Sequence, residues 1–258
     1  MIWAPGLGAL VPGAWQATLE FVLPAVCVCC DRAAPDADAL VCRLCWTRVS
    51  SLPYPRCERC GHPARGHQCA WCTQLPPYVR AVRSVCWAVG PALSIVHALK
   101  YDGWHRVAEG MARRMARLSW PDDVARERSA VVPVPLSAPR ERERGFNQSE
   151  RIARALAPSW RVPVWDDVLM RARSTATQTR LTPGERRRNV SGAFRTPPNV
   201  QARLRGTHVV IVDDVVTTAA TLNACAAALY DGGARIISYV TFGRAPAIGD
   251  RIELRGET

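Results

Sequence analysis

The chain has 258 residues, 48% of them apolar, which suits one α/β domain of ordinary size plus a small extra module with a real core. Its formal charge of +12 is nearly all arginine, since Lys100 is the only lysine, and favours anionic partners such as phosphorylated sugars, pyrophosphate or nucleic acid. The apolar first 26 residues lack Lys or Arg at their start and contain three prolines and Glu20, which argues against a secretory signal or a membrane span; a cytoplasmic protein without membrane insertion is expected.

In chain order, residues 1–26 read as a leader, with 15–23 as a short amphipathic helix. Residues 27–72 form a cysteine-rich module holding eight of the eleven cysteines in four CxxC pairs: Cys27/Cys30, Cys42/Cys45, Cys57/Cys60 and Cys69/Cys72. Regular CxxC pairs read as metal ligands in a reducing compartment, because one such turn places two thiolates on one zinc and two turns complete a tetrahedron. Sequential pairing gives a double zinc ribbon, with eleven residues between the pairs of the first half and eight in the second. Closed sites of four cysteines each are expected to be structural. Cys29, His62 and His67 are spare donors. Trp46 and Trp71 lie beside ligands, where they can pack on the ribbon or stack on bases. Cys86 and Cys225 read as core residues.

Residues 73–80 read as a linker punctuated by Pro76-Pro77, 81–243 as the main domain and 244–258 as a tail. Within the main domain, strands are expected at 82–89, 130–134, 162–165, 207–212 and 236–242. Helices are expected at 92–101, 104–118, from Asn147 or Ser149 through 157, and at 217–230. This alternation predicts a parallel sheet with helices on both faces. Residues 136–144 read as an arginine-rich loop after a buried strand, and 171–189 as a long polar loop.

The chemistry concentrates after the strand at 207–212. Asp213 and Asp214 are expected where that strand leaves the sheet, the edge at which open α/β sheets bind ligands. Adjacent acids there need stabilisation, which ribose hydroxyls and a nearby Mg²⁺ can give. Thr217, Thr218, Ala219, Ala220 and Thr221 surround the start of a helix, where hydroxyls, N–H groups and the helix dipole favour a phosphate. A ribose 5-phosphate group matches both halves. Arginines in the other two loops offer planar donors for a diphosphate.

The segment 209–221, VVIVDDVVTTAAT, resembles the phosphoribosyl-pyrophosphate (PRPP) signature of type I phosphoribosyltransferases. That resemblance implies ribose hydroxyls on Asp213 and Asp214 and the 5-phosphate on 217–221. It departs at Ala219, where that family commonly has glycine; alanine fits without strain if the residue is already helical. The ordered set HALKYDG at 97–103, VPVPL…RERERGFNQ at 132–148, the RAR and Gln of 171–178, RRRNVSGAF at 186–194 and the PRPP segment resembles the ComF family. The resemblance implies a double zinc ribbon joined to a type I phosphoribosyltransferase-like domain, with PRPP–Mg²⁺ as ligand. It also implies competence for natural transformation, and single-stranded DNA and DNA-uptake proteins as candidate partners. On this reading Leu136, Ser137, Arg140, Arg144, Arg171, Arg173 and Gln178 serve the pyrophosphate and closing loops. Lys100 is placed to touch a phosphate or the reacting group. Three functions stay open: ribosyl 5-phosphate transfer to an unknown acceptor, non-catalytic PRPP sensing, and single-stranded nucleic-acid binding.

Overall fold

A computed structural model describes residues 26–33, 40–63, 69–101, 104, 106–172, 192–247, 250 and 252. Residues 1–25 of the leader, His67 and most of the long polar loop, including Arg173 and Gln178, lie outside the described residues.

The frame is a parallel four-stranded sheet, ordered β1-β6-β5-β2. Its strands are β1 (Val79–Trp87), β2 (Arg128–Pro133), β5 (His208–Val216) and β6 (Ile236–Arg244). Outside β2, the strand expected at 162–165 reduces to a single parallel bridge between Val164 and Val131. A two-stranded antiparallel pair, β3 (Met170–Arg171) with β4 (Phe194–Arg195), brackets the long polar loop.

The helices are α1 (Arg43–Thr47), α2 (Pro91–Tyr101), α3 (Val107–Ala116), α4 (Asp122–Glu127), α5 (Ala138–Arg144), α6 (Gln148–Trp160), α7 (Gln201–Leu204) and α8 (Ala220–Asp231). None of those among the described residues is long and apolar enough to cross a membrane. Strand alternation divides the core. Val210 and Val212 pack with Ile95, Met111 and Ile152 of α2, α3 and α6, whereas Val209 and Ile211 pack with Leu222 and Leu229 of α8. All four central valine and isoleucine residues of β5 are fully buried, each contributing roughly 1.5–3 kcal/mol.

Two expectations change. The arginine-rich segment is not a loop: α5 runs through it. Proline in its first turn and Gly145 at its end (φ +74°) are the residues that start and stop a helix, and they frame the arginines. β5 also runs four residues further than expected, so both aspartates lie on the strand itself.

The cysteine module is built into this sheet. Each half opens on a CxxC turn closed at its base by an antiparallel bridge, Val26 to Ala33 in the first and Arg56 to Pro63 in the second. Between the halves, Ser51 bridges to Cys86 and the Trp87 N–H donates to the Ser50 carbonyl at 2.9 Å, covering the edge of β1. The first half packs on the α2/α3/α6 face through Val41, Cys42 and Cys45, and the second on the α8 face through Cys60, Trp71 and Leu75.

Candidate functional site

The two acids sit at the carboxyl edge of the sheet, where all four strands end in the same direction. Asp213 aligns with Thr241 on β6, and Thr241 with Ser84 on β1; the two hydroxyls are 2.7 Å apart and buried. Asp214 is 4% exposed and forms an ion pair with Lys100 at the end of α2. Asp213 accepts a hydrogen bond from Ser149 Oγ at 2.7 Å and one from the Asp214 N–H at 3.0 Å.

Ser149 is held by the start of α6. The Asn147 side chain caps that helix by accepting from the Ser149 and Glu150 N–H groups, and its own amide donates to the Val134 carbonyl at 3.0 Å. One asparagine thus ties the end of β2 to the serine that touches Asp213.

This environment splits the two carboxyls. Burial and the neighbouring Asp214 charge push Asp213 up to about 7, against the opposing pull of Ser149 and Lys100. Burial also acts upward on Asp214, but Lys100 outweighs it and holds Asp214 below the usual carboxylate range. Lys100 answers in kind: desolvation favours its neutral form, and Asp214 more than offsets that, so it stays charged. Asp214 is therefore the charged partner of Lys100, and Asp213 is the carboxyl that keeps its proton to higher pH.

After β5 the chain turns through Thr217–Ala219 into α8. Thr217 is exposed, whereas Thr218 Oγ1 is buried without a hydrogen-bond partner. A buried hydroxyl without a partner is costly, so an incoming acceptor there would be favoured. Ala219 is buried and not helical: it stands in the left-handed region at φ +56°, ψ +7°, immediately before α8. The glycine-free departure thus carries backbone strain of roughly 1 kcal/mol. Its carbonyl accepts the Asn223 N–H at 2.8 Å, which fixes the turn against the helix.

Cations approach from two sides. Helical spacing turns the partly buried Arg140 and Arg144 to one side of α5 and leaves Arg142 exposed. Arg144 donates to Gln148 Oε1 at 2.9 Å and lies 4.9 Å over the Tyr101 ring; its charge reaches Lys100. Arg171, 5.2 Å over the Phe194 ring, feels both Arg140 and Asp213. Leu136 and buried Ser137 form the short passage between β2 and α5.

Both cysteine quartets assemble. Cys27, Cys30, Cys42 and Cys45 bring their Sγ atoms within 4.8 Å of one another, as do Cys57, Cys60, Cys69 and Cys72. The Cys30–Cys42, Cys57–Cys72 and Cys60–Cys69 sulfur pairs stand 3.9, 3.3 and 3.4 Å apart. Tetrahedral Zn–S bonds of ~2.3 Å require S–S separations of about 3.8 Å, so both quartets fit zinc. N–H groups of Cys42 and Cys29 point at Cys27 Sγ at 3.3 and 3.5 Å. Burial opposes ionisation of Cys27, but these donors and the Cys30 and Cys42 thiols bring it down to about 7. Bound zinc would cross-link each half as a structural ion with no open position.

Cys29 is no ligand; it points at the Pro91 carbonyl, 3.7 Å away, and burial pushes it up to about 12. His62 is not a ligand either: Nε2 lies 3.1 Å from Asp250 Oδ1 and the ring stacks on Trp71.

A model of a phosphoribosyl transferase domain matches residues 143–253, and one of a double zinc ribbon domain matches 18–76. The DNA utilization protein YhgH of Salmonella typhi is 35% identical over 229 residues, covering 83% of this chain and 95% of that protein. Competence protein F of Haemophilus influenzae is 25% identical over 209 residues (76% and 87% of the two chains). Competence protein ComFC of Bacillus subtilis is 25% identical over 207 residues (76% and 80%). The chain belongs to the ComF family.

In this ComF-family chain the structure brings together Asp213, Asp214, Lys100, Arg140, Arg144 and Arg171 around the turn 217–221. Sequence reasoning weighed Ser149 only as a helix cap; its contact with Asp213 crosses between two elements and leaves no local signal. Trp46 and Trp71 pack rather than offer free faces: Arg114 lies 3.3 Å over the Trp46 ring and Arg244 4.2 Å over Trp71. Arg244, the first residue of the expected tail, is the last residue of β6 and fully buried.

Proposed function

We propose that this ComF-family protein binds PRPP at the carboxyl edge of the sheet. The ribose hydroxyls would lie on Asp213 and Asp214, and the 5-phosphate on Thr217, Thr218, Ala219, Ala220 and Thr221. The diphosphate would meet Leu136, Ser137, Arg140, Arg144 and Arg171, with Arg173 and Gln178 of the long loop closing over it. The observation that carries this reading is the acid pair at the strand end, with Asp214 buried against Lys100 and Asp213 bonded to Ser149, followed by a turn whose Thr218 hydroxyl is buried without a hydrogen-bond partner. Mg²⁺ would enter with the diphosphate and offset its charge. Arg140, Arg144 and Arg171 can stabilise charge developing on a departing diphosphate, which makes ribosyl 5-phosphate transfer to an acceptor the reaction this edge suits. The names carried by relatives, DNA utilization and competence proteins, support a role linked to DNA uptake.

The test is calorimetry with PRPP–Mg²⁺ on the native protein and on Asp213→Asn/Asp214→Asn. Binding that survives the double substitution at native strength overturns the site. With binding secured, release of pyrophosphate across a broad acceptor panel separates an enzyme from a PRPP sensor. A second reading, single-stranded DNA binding, draws on exposed Tyr101 and Trp104 near Lys100 and on the net charge of +12. It predicts affinity that falls steeply with salt; a flat salt response removes it.

A further inference from the structure

Among the described residues, Arg244 is the only arginine or lysine that is fully buried. It ends β6, inside the core between the sheet and the second cysteine half. One guanidinium nitrogen, Nη2, donates to the Cys60 carbonyl at 2.6 Å, and the group lies 4.2 Å over the Trp71 ring. Its other two nitrogens, Nε and Nη1, are buried with no hydrogen-bond partner. A buried guanidinium left in this state is expensive unless a negative charge compensates it. The carboxylate that acts on it, Asp250, is already engaged by His62 Nε2 at 3.1 Å and by the Ala247 N–H at 2.6 Å. The carbonyl that Arg244 meets belongs to Cys60, a member of the second quartet.

A zinc ion held by four thiolates carries a net charge of roughly −2. We propose that Arg244 is the resident counter-charge of the second four-cysteine zinc site. Its cation offsets the excess charge of the loaded quartet from within the core, and the loaded quartet in turn is what makes a buried Arg244 tolerable. The first quartet has no such partner among the described residues; N–H groups stabilise Cys27 there. The two zinc sites are therefore unequal by construction. Arg244 also pairs in register with Val216, the residue before the turn at 217–219, and the Ala245 N–H donates to the Val216 carbonyl at 2.8 Å. The second zinc is thereby anchored to the strand end that carries that turn.

The experiment follows zinc release from the full-length protein to a chromophoric chelator. The two kinetic phases are assigned with Cys30→Ser in the first site and Cys72→Ser in the second. Arg244→Met is expected to speed release from the second site by about tenfold or more while the first keeps its native rate. The unchanged first phase reports that the fold is intact. Arg244→Lys, which keeps the charge, is expected to restore slow release. Native rates for both zincs in Arg244→Met overturn the proposal. If Arg244→Met speeds both phases together, Arg244→Lys decides: slow release from the second site supports the counter-charge role, and release as fast as in Arg244→Met overturns it.

Discussion

The two cysteine halves share one local plan and differ in what they pack against. The first lies on the face of α2, α3 and α6, the elements that deliver Lys100 and Ser149 to the acids. The second shares its core with Val216, Ala219 and α8, the elements that frame the turn at 217–219, and encloses Arg244. A further tie runs from the second half: the Asn223 amide on α8 donates to the Gln74 carbonyl at 2.7 Å, and Asn223 Oδ1 accepts from Tyr239 at 3.0 Å. Similar metal modules can therefore serve different halves of one site, because a ribbon's role is set by its docking face rather than by its ligands.

The largest effects should come from removing one metal. Cys27→Ser and Cys60→Ser are each expected to leave one zinc per chain by metal analysis, forfeiting on the order of 10 kcal/mol of apparent binding energy. Cys60→Ser should weaken PRPP binding the more strongly, since the turn at 217–219 belongs to its face. Equal losses in calorimetry would erase the distinction between the halves.

Next come the close approaches by which each half docks. A Cβ on Gly61, already at φ +65°, would stand 2.6 Å from the Val82 carbonyl oxygen, and backbone cannot yield. A Cβ on Gly110 would stand 2.7 Å from Trp46 Cζ2, a side chain. In thermal or urea unfolding, Gly110→Ala should cost about 1–3 kcal/mol and Gly61→Ala more. The reverse order would show the first half to be the more rigidly seated.

Proton linkage examines the face that supplies Lys100 and Ser149. Because the folded protein raises Asp213 to about 7, the stability its protonated form lends is complete below the ordinary value of 3.8 and is lost as pH rises through about 7. A ligand whose hydroxyls donate to the carboxylate must then expel that proton. PRPP–Mg²⁺ affinity should rise with pH through about 7, with heats that vary with buffer ionisation enthalpy and a smaller buffer dependence in Asp213→Asn. The smallest effect belongs to the opposite face: Ala219→Gly should relieve the left-handed strain and raise stability by roughly 1 kcal/mol or less. A loss of stability would mean that the buried methyl group outweighs the strain.

The parts of this protein legible in its sequence are those whose physics is local. CxxC spacing sets the bite of a thiolate pair, and four apolar residues in succession mark a strand buried on both faces. Two acids and a cluster of threonines before a helix mark the edge proposed to bind PRPP. The limits of β5 and α5 were less legible. β5 continues through Asp213 and Asp214 because β6 keeps pairing with it as far as Val216–Arg244. The arginines of α5 disguise a segment whose proline and glycine already framed a helix.

By itself, then, the sequence determined the strand, the acids, the metal quartets and the basic balance. Only the tertiary structure decided that Lys100 answers Asp214, that Ser149 answers Asp213, that Ala219 is left-handed, and that Arg244 is buried against the second quartet. Each of those depends on contacts between different elements, so its energy exists only once the helices and ribbons have docked on the sheet. Neither charge nor periodicity along the chain records which neighbour that docking will supply.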